Sequence, residues 1–93
     1  KMRTTQISNL KSPKSGNNVP NQFRIKTPKG EFYQSYSVKI IFICYDSGNI
    51  YLDQKFWNYS NTTSRYRNQF LKLTTPETKN LIESGVIQLI DLN

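Results

Sequence analysis

Histidine is absent from this chain, and that one absence removes His-based triads, imidazole metal sites and imidazole acid–base chemistry together. A single cysteine, Cys44, cannot close an internal disulfide, and without a histidine partner it makes a poor nucleophile. Inside "KIIFICY" it reads as a buried core thiol. The four glycines are isolated, so there is no glycine-rich phosphate loop. Acids are few, six against thirteen Lys and Arg, and they are dispersed. Asp46, Asp53 and Lys55 share only the spacing of a hairpin, and two-metal chemistry needs more carboxylates than converge there. No metal, cofactor, small-molecule substrate or catalysis is therefore expected. No apolar run approaches the length that spans a bilayer, and no basic start followed by an apolar stretch marks a leader. Lys1 precedes Met2, which reads as the natural start. A cytoplasmic protein without a membrane partner is the expectation.

What the chain does contain is positive charge and rings. Of its net +7, residues 1–39 carry eight Lys and Arg against Glu31, while residues 40–93 carry five against five. The basic field is an N-terminal property and points to an acidic partner, either nucleic acid or an acidic protein face. The bland alternative is that lysines only keep a small domain soluble. Aromatics are 13% of the chain against 35% hydrophobic residues in all, so rings must build much of the core.

The 93 residues suffice for one domain, 1–93. Residues 8–22, "SNLKSPKSGNNVPNQ", read as a flexible loop after an opening strand near "TTQIS". In "NQFRIKTPKGEFYQSY", Phe23 and Ile25 alternate with Arg24 and Lys26. If the apolar pair faces the core, the basic pair faces solvent. "TPKG" has the chemistry of a type I turn, placing Lys29 beside Arg24 and Lys26. Glu31 to Tyr45 is too long for one strand, so a bend or bulge is expected near residues 35–37. "KIIFICY", with Ile41 and Ile43, reads as a central strand buried on both faces, and Lys39 leads into it. "IYLDQKFW" follows after the turn "DSGN".

After Trp57 the period changes from two to helical. Thr62 or Thr63 can cap a helix carrying Tyr66, Phe70 and Leu73 on one face. Thr75 reads as the cap of a second helix, with Pro76 at its start and Gly85 at its end. "VIQLIDL" returns as a last strand. The expected class is α+β: an antiparallel sheet of four to five strands, two short C-terminal helices and a final strand. Its expected core is Phe23, Ile25, Ile41, Ile43, Trp57, Tyr66 and Phe70. Arg65 and Arg67 flank Tyr66, each about 100° round the helix, so they are expected to point away from the core and to extend the basic patch. Its members are then Arg24, Lys26, Lys29, Lys39, Arg65 and Arg67.

"FYQSYSVKI", "GNIYLDQKFWNYSNTTSRYRNQFL" and "ETKNLIESGVIQLIDLN" together resemble a family of small uncharacterised proteins of tailed phages and related mobile elements. The resemblance rests on W-x-Y-S-x-T-T-x-x-Y-x-x-x-F-L, here Trp57 to Leu71, and on a D-L-N run at Asp91 to Asn93. The chain departs from the pattern by one extra residue between the aromatic and the serine of "FYQSY". The resemblance implies a phage setting in a host cell and no established activity. A small phage protein without catalytic equipment works by binding. It binds nucleic acid or a nucleic-acid-handling complex; alternatively it inhibits a host defence protein by protein–protein contact, as an anti-CRISPR protein does.

Overall fold

The computed structural model describes residues 4–93. Strands β1 (Gln6–Lys11), β2 (Asn18–Lys26), β3 (Gly30–Ser35), β4 (Val38–Cys44) and β5 (Ile50–Asp53) lie in chain order, each antiparallel to the one before. Helices α1 (Asn61–Leu71) and α2 (Thr75–Glu83) then cross over, and β6 (Ile87–Ile90) pairs parallel to β5. The class is α+β, with one mixed sheet of six strands rather than an antiparallel sheet of four or five. The parallel pair follows from the crossover. Two helices carry the chain back to the end of the sheet where β5 began, and a strand entered from there runs parallel to β5.

Local chemistry sets most boundaries. Only residues 12–17 connect β1 to β2, closed by Ser12 N–H to Asn17 O at 2.8 Å and Gly16 N–H to Ser12 O at 2.9 Å. The remainder of 8–22 is paired strand, because Ile7 to Asn9 find partners in Phe23 to Ile25. Thr27 closes the β2–β3 turn, its N–H donating to Gly30 O at 2.8 Å and its hydroxyl at 2.9 Å. The long run from Glu31 is broken by a hairpin turn at Tyr36 and Ser37, not bent, with Tyr36 at φ 55°. Helix α1 begins two or three residues earlier than its threonines suggest: Ser60 is the cap, its hydroxyl accepting from Thr63 N–H at 3.1 Å. Thr74, not Thr75, caps α2, and Glu77 reaches back to the Thr74 N–H at 2.8 Å to complete a capping box.

Strand register sorts the side chains into two faces. One row runs Ser8, Arg24, Tyr33, Ile41, Leu52, Leu89 across the six strands. The next row on the opposite face runs Ile7, Ile25, Phe32, Phe42, Tyr51, Gln88. Both helices cover the first face. Phe70 stacks on Tyr33 with centroids 5.8 Å apart, and the Thr63 hydroxyl reaches Ser35. The core is Leu10, Tyr33, Ile40, Ile41, Leu52, Tyr66, Phe70 and Ile87. Ile43 and Trp57 are half-buried against it.

Phe23 and Ile25 are not in that core; they lie half-buried on the uncovered face. Alternation tells which residues share a face but not which face is covered. The neighbours decide. Tyr33, Ile41 and Leu52 are the row the helices bury, and register locks Arg24 into it. For the same reason β4 is covered on one side only: Ile41 is fully buried while Phe42 and Cys44 are half-buried, and Ile40 joins the core because the register shifts there, between Lys39 and Ile41.

Candidate functional site

Because β2 turns its basic residues toward the helices, Arg24 points into the space beside α1. Its guanidinium lies 4.3 Å from the centre of the Phe70 ring, and Nη1 donates to Glu31 Oε1 at 2.8 Å. The charged head itself lies over the ring, a cation–π contact, and the side chain remains about one-third exposed. Beside it a cleft of about 580 Å³ opens between β1, β2 and α1, with Ser8, Lys11, Asn18, Arg24 and Gln69 on its walls. Gln69 braces the cleft by donating from Nε2 to Lys11 O at 2.8 Å. The Lys11 ammonium donates to the neutral Asn18 Oδ1, so its charge is uncompensated.

A second hollow of about 370 Å³ is lined by Ser12, Pro13, Lys14, Arg65 and Tyr66. The two adjoin. Lys11 and Ser12 are consecutive, and Arg65 and Gln69 are four apart on α1, hence on the same side of the helix. Together they form a groove along α1 that holds Lys11, Lys14, Arg24 and Arg65. No carboxylate lines either hollow.

The six cations expected from sequence do not make one patch. Arg24 and Arg65 reach the groove. Lys26 is exposed on the same face of β2, and Lys29 is exposed in the β2–β3 turn. Lys39 sits on the opposite, uncovered face, its Nζ 6.0 Å from the Phe32 ring centre. Arg67 does not point outward at all; it is 0% exposed. It donates to Trp57 O at 2.6 Å, Asn58 Oδ1 at 3.0 Å, Asn68 Oδ1 at 2.9 Å and Thr75 Oγ1 at 2.7 Å. Its guanidinium also lies 5.1 Å from the centre of the Trp57 ring. Burial lowers its pKa from the ordinary guanidinium value. It is a latch between the 57–58 segment, α1 and the start of α2. Lys11 and Lys14 are the groove cations that sequence reasoning left out. Both stand in the N-terminal basic excess, but in a stretch read as a loop.

The other groups with chemical potential are engaged structurally. Asp53 is buried, and its carboxylate accepts from Leu92 N–H, Asn93 Nδ2, Lys55 N–H and Phe56 N–H at 2.9–3.1 Å. Burial pushes its pKa up, but these bonds outweigh that and hold it below the ordinary carboxylate value. Tyr33 is pushed up to about 12, chiefly by burial. Cys44 is half-buried rather than core, and hydrogen bonds from Ser47 lower its thiol pKa. Among the described residues no three Asp, Glu or Cys side chains converge in a way that could hold a metal ion. No helix there is long and apolar enough to cross a membrane.

Neither a curated protein nor a solved structure matches this chain. One family model does, over residues 5–85, from β1 to the end of α2, and the chain therefore belongs to DUF8033, a family of unknown function.

Proposed function

We propose that this chain is a non-enzymatic, cytoplasmic binding protein whose groove along α1 takes the phosphate backbone of a nucleic acid. The observation that supports it most is the lining: four cations, no carboxylate, on a concave surface. Phosphates are positioned by Lys and Arg together with neutral donors, and Ser8, Ser12, Asn18 and Gln69 supply hydroxyls and amides between the charges. Arg24 is already paired with Glu31, so three uncompensated cations remain: Lys11, Lys14 and Arg65.

Three phosphate contacts predict a slope of log K against log salt of roughly −2 for a single strand and −2.7 for duplex. From 50 to 200 mM salt, affinity should then fall about 20-fold or about 40-fold. Fluorescence anisotropy with labelled single-stranded and duplex oligonucleotides measures it. Lys14→Glu with Arg65→Glu should abolish most binding while leaving the melting curve unchanged, since both residues are exposed. If neither oligonucleotide binds at 50 mM salt, the nucleic-acid reading fails and inhibition of a host defence protein becomes the leading one.

A further inference from the structure

The groove lies on the helix side of the sheet. The other face has a different character. Ile25, Phe32, Phe42 and Tyr51 form a cross-strand row there, extended to the edge by Ile7, which is 66% exposed and also borders the cleft beside Arg24. None of the five belongs to the core, and both helices lie on the far side. The charged strand positions of this face are Lys39 and Asp53, and the Asp53 carboxylate is consumed by its four donors. We propose that this uncovered face docks a protein segment that is apolar at its centre and acidic at its rim.

The paucity of charge argues against a nucleic acid. Lys39 is the single cation among the strand positions of this face, and a phosphate backbone is held by several. The rings pack on one another instead: Phe32 and Phe42 have centroids 4.6 Å apart with planes inclined by 33°, and Phe42 and Tyr51 lie 6.2 Å apart at 20°. Together with Ile25 they make a continuous apolar surface, which suits the apolar side chains of a protein partner.

The rings are also held in place. A Cβ on Gly30 would sit 2.6 Å from the Phe42 ring, so the ring packs directly onto glycine backbone. Anchors fixed before binding lose little freedom on binding. Charge selects the rim of the partner. Lys39 beside Phe32 favours a carboxylate, and in a chain of net +7 a second copy would set Lys39 and its field against their own likeness across the two-fold.

The test uses the full chain, labelled with ¹⁵N, and two synthetic amphipathic peptides with the same Leu and Phe stripe, flanked by Glu in one and by Lys in the other. The Glu peptide should shift the amides of Ile25, Phe32, Lys39, Phe42 and Tyr51 and leave those of Lys14 and Arg65 in place. Lys39→Glu should weaken it at least 10-fold and invert the preference between the two peptides; a melting curve checks that this variant folds. Four results overturn the proposal: no shift up to millimolar Glu peptide, equal binding of the Lys peptide, an oligonucleotide shifting those same five amides, or sedimentation as a dimer that Lys39→Glu changes.

Discussion

Arg67 is the residue whose perturbation says most about how this fold is held. Its guanidinium is buried with no carboxylate beside it, only four neutral oxygens. Hydrogen bonds to a charged group contribute about 1.5–3 kcal/mol each, but burying the charge costs several kcal/mol, so the net is far below their sum. Arg67→Ala removes the donors, leaves Trp57 O and Asn68 Oδ1 unsatisfied and opens a cavity. That should cost roughly 3–5 kcal/mol. Arg67→Met keeps the stem and gives up the buried charge, so only the orphaned acceptors remain, about 1–3 kcal/mol. Arg67→Lys keeps the charge but not the planar fork that spans residues 57–58 on one side and 68 and 75 on the other; it should fall between. A domain of this size has roughly 5–14 kcal/mol in all, so the alanine variant loses a large share. Urea denaturation followed by the fluorescence of Trp57, the single tryptophan, reports on the latch directly. If Arg67→Ala changes stability by less than about 0.5 kcal/mol, or chiefly abolishes oligonucleotide binding, the latch is wrong and Arg67 is a surface group.

Gly30→Ala should be severely destabilising, because the new Cβ would meet the Ile43 carbonyl oxygen at 2.2 Å and backbone cannot give way as a side chain can; an unchanged melting temperature would show that β3 and β4 are not this close. Asp53 has a depressed folded-state pKa, so its contribution is complete above the ordinary carboxylate value of 3.8 and is lost as pH falls below it through the folded value. Asp53→Asn should therefore flatten that part of the acid limb and, at neutral pH, cost roughly 1–3 kcal/mol by setting an amide against four donors. An acid limb identical in the two proteins would remove Asp53 from the account.

The change of period after Trp57 was legible in sequence, and so were the two helices and the last strand, because each rests on local chemistry: a hydroxyl before a helix, Pro at its start, Gly past its end. The caps were misplaced by one or more residues for a reason of the same kind. "YSNTTS" and "LTTPE" offer several hydroxyls in succession, and only the one whose backbone stays extended can accept from the helix, Ser60 at ψ 159° and Thr74 at ψ 166°. Long-range facts were not legible. The parallel pairing of β6 depends on where the crossover delivers the chain. The burial of Arg67 depends on oxygens from four other residues, three of them seven or more positions away.

The orientation of β2 shows where sequence reasoning about a site stops. Its alternation is plain in the sequence, yet a period of two leaves one binary choice open, and that choice decides the whole chemistry of the surface. Had Phe23 and Ile25 faced the helices, Arg24, Lys26 and Lys39 would have shared an open basic sheet. Instead Tyr33 pairs with Arg24, and Phe70 seals Tyr33, so the register carries Arg24 to the edge of the covered side, beside Lys11. The same inversion puts Ile25, Phe32, Phe42 and Tyr51 on the bare side. One register thus separates charge from rings. It follows that charge reversal in the groove and substitution on the bare face should affect different ligands independently, as sites without shared partners do. A double variant, Arg65→Glu with Lys39→Glu, tests this: each single loss should reappear undiminished, oligonucleotide affinity with the first and Glu-peptide affinity with the second. Coupling between them would mean that a single surface, running round the β1 edge, binds both.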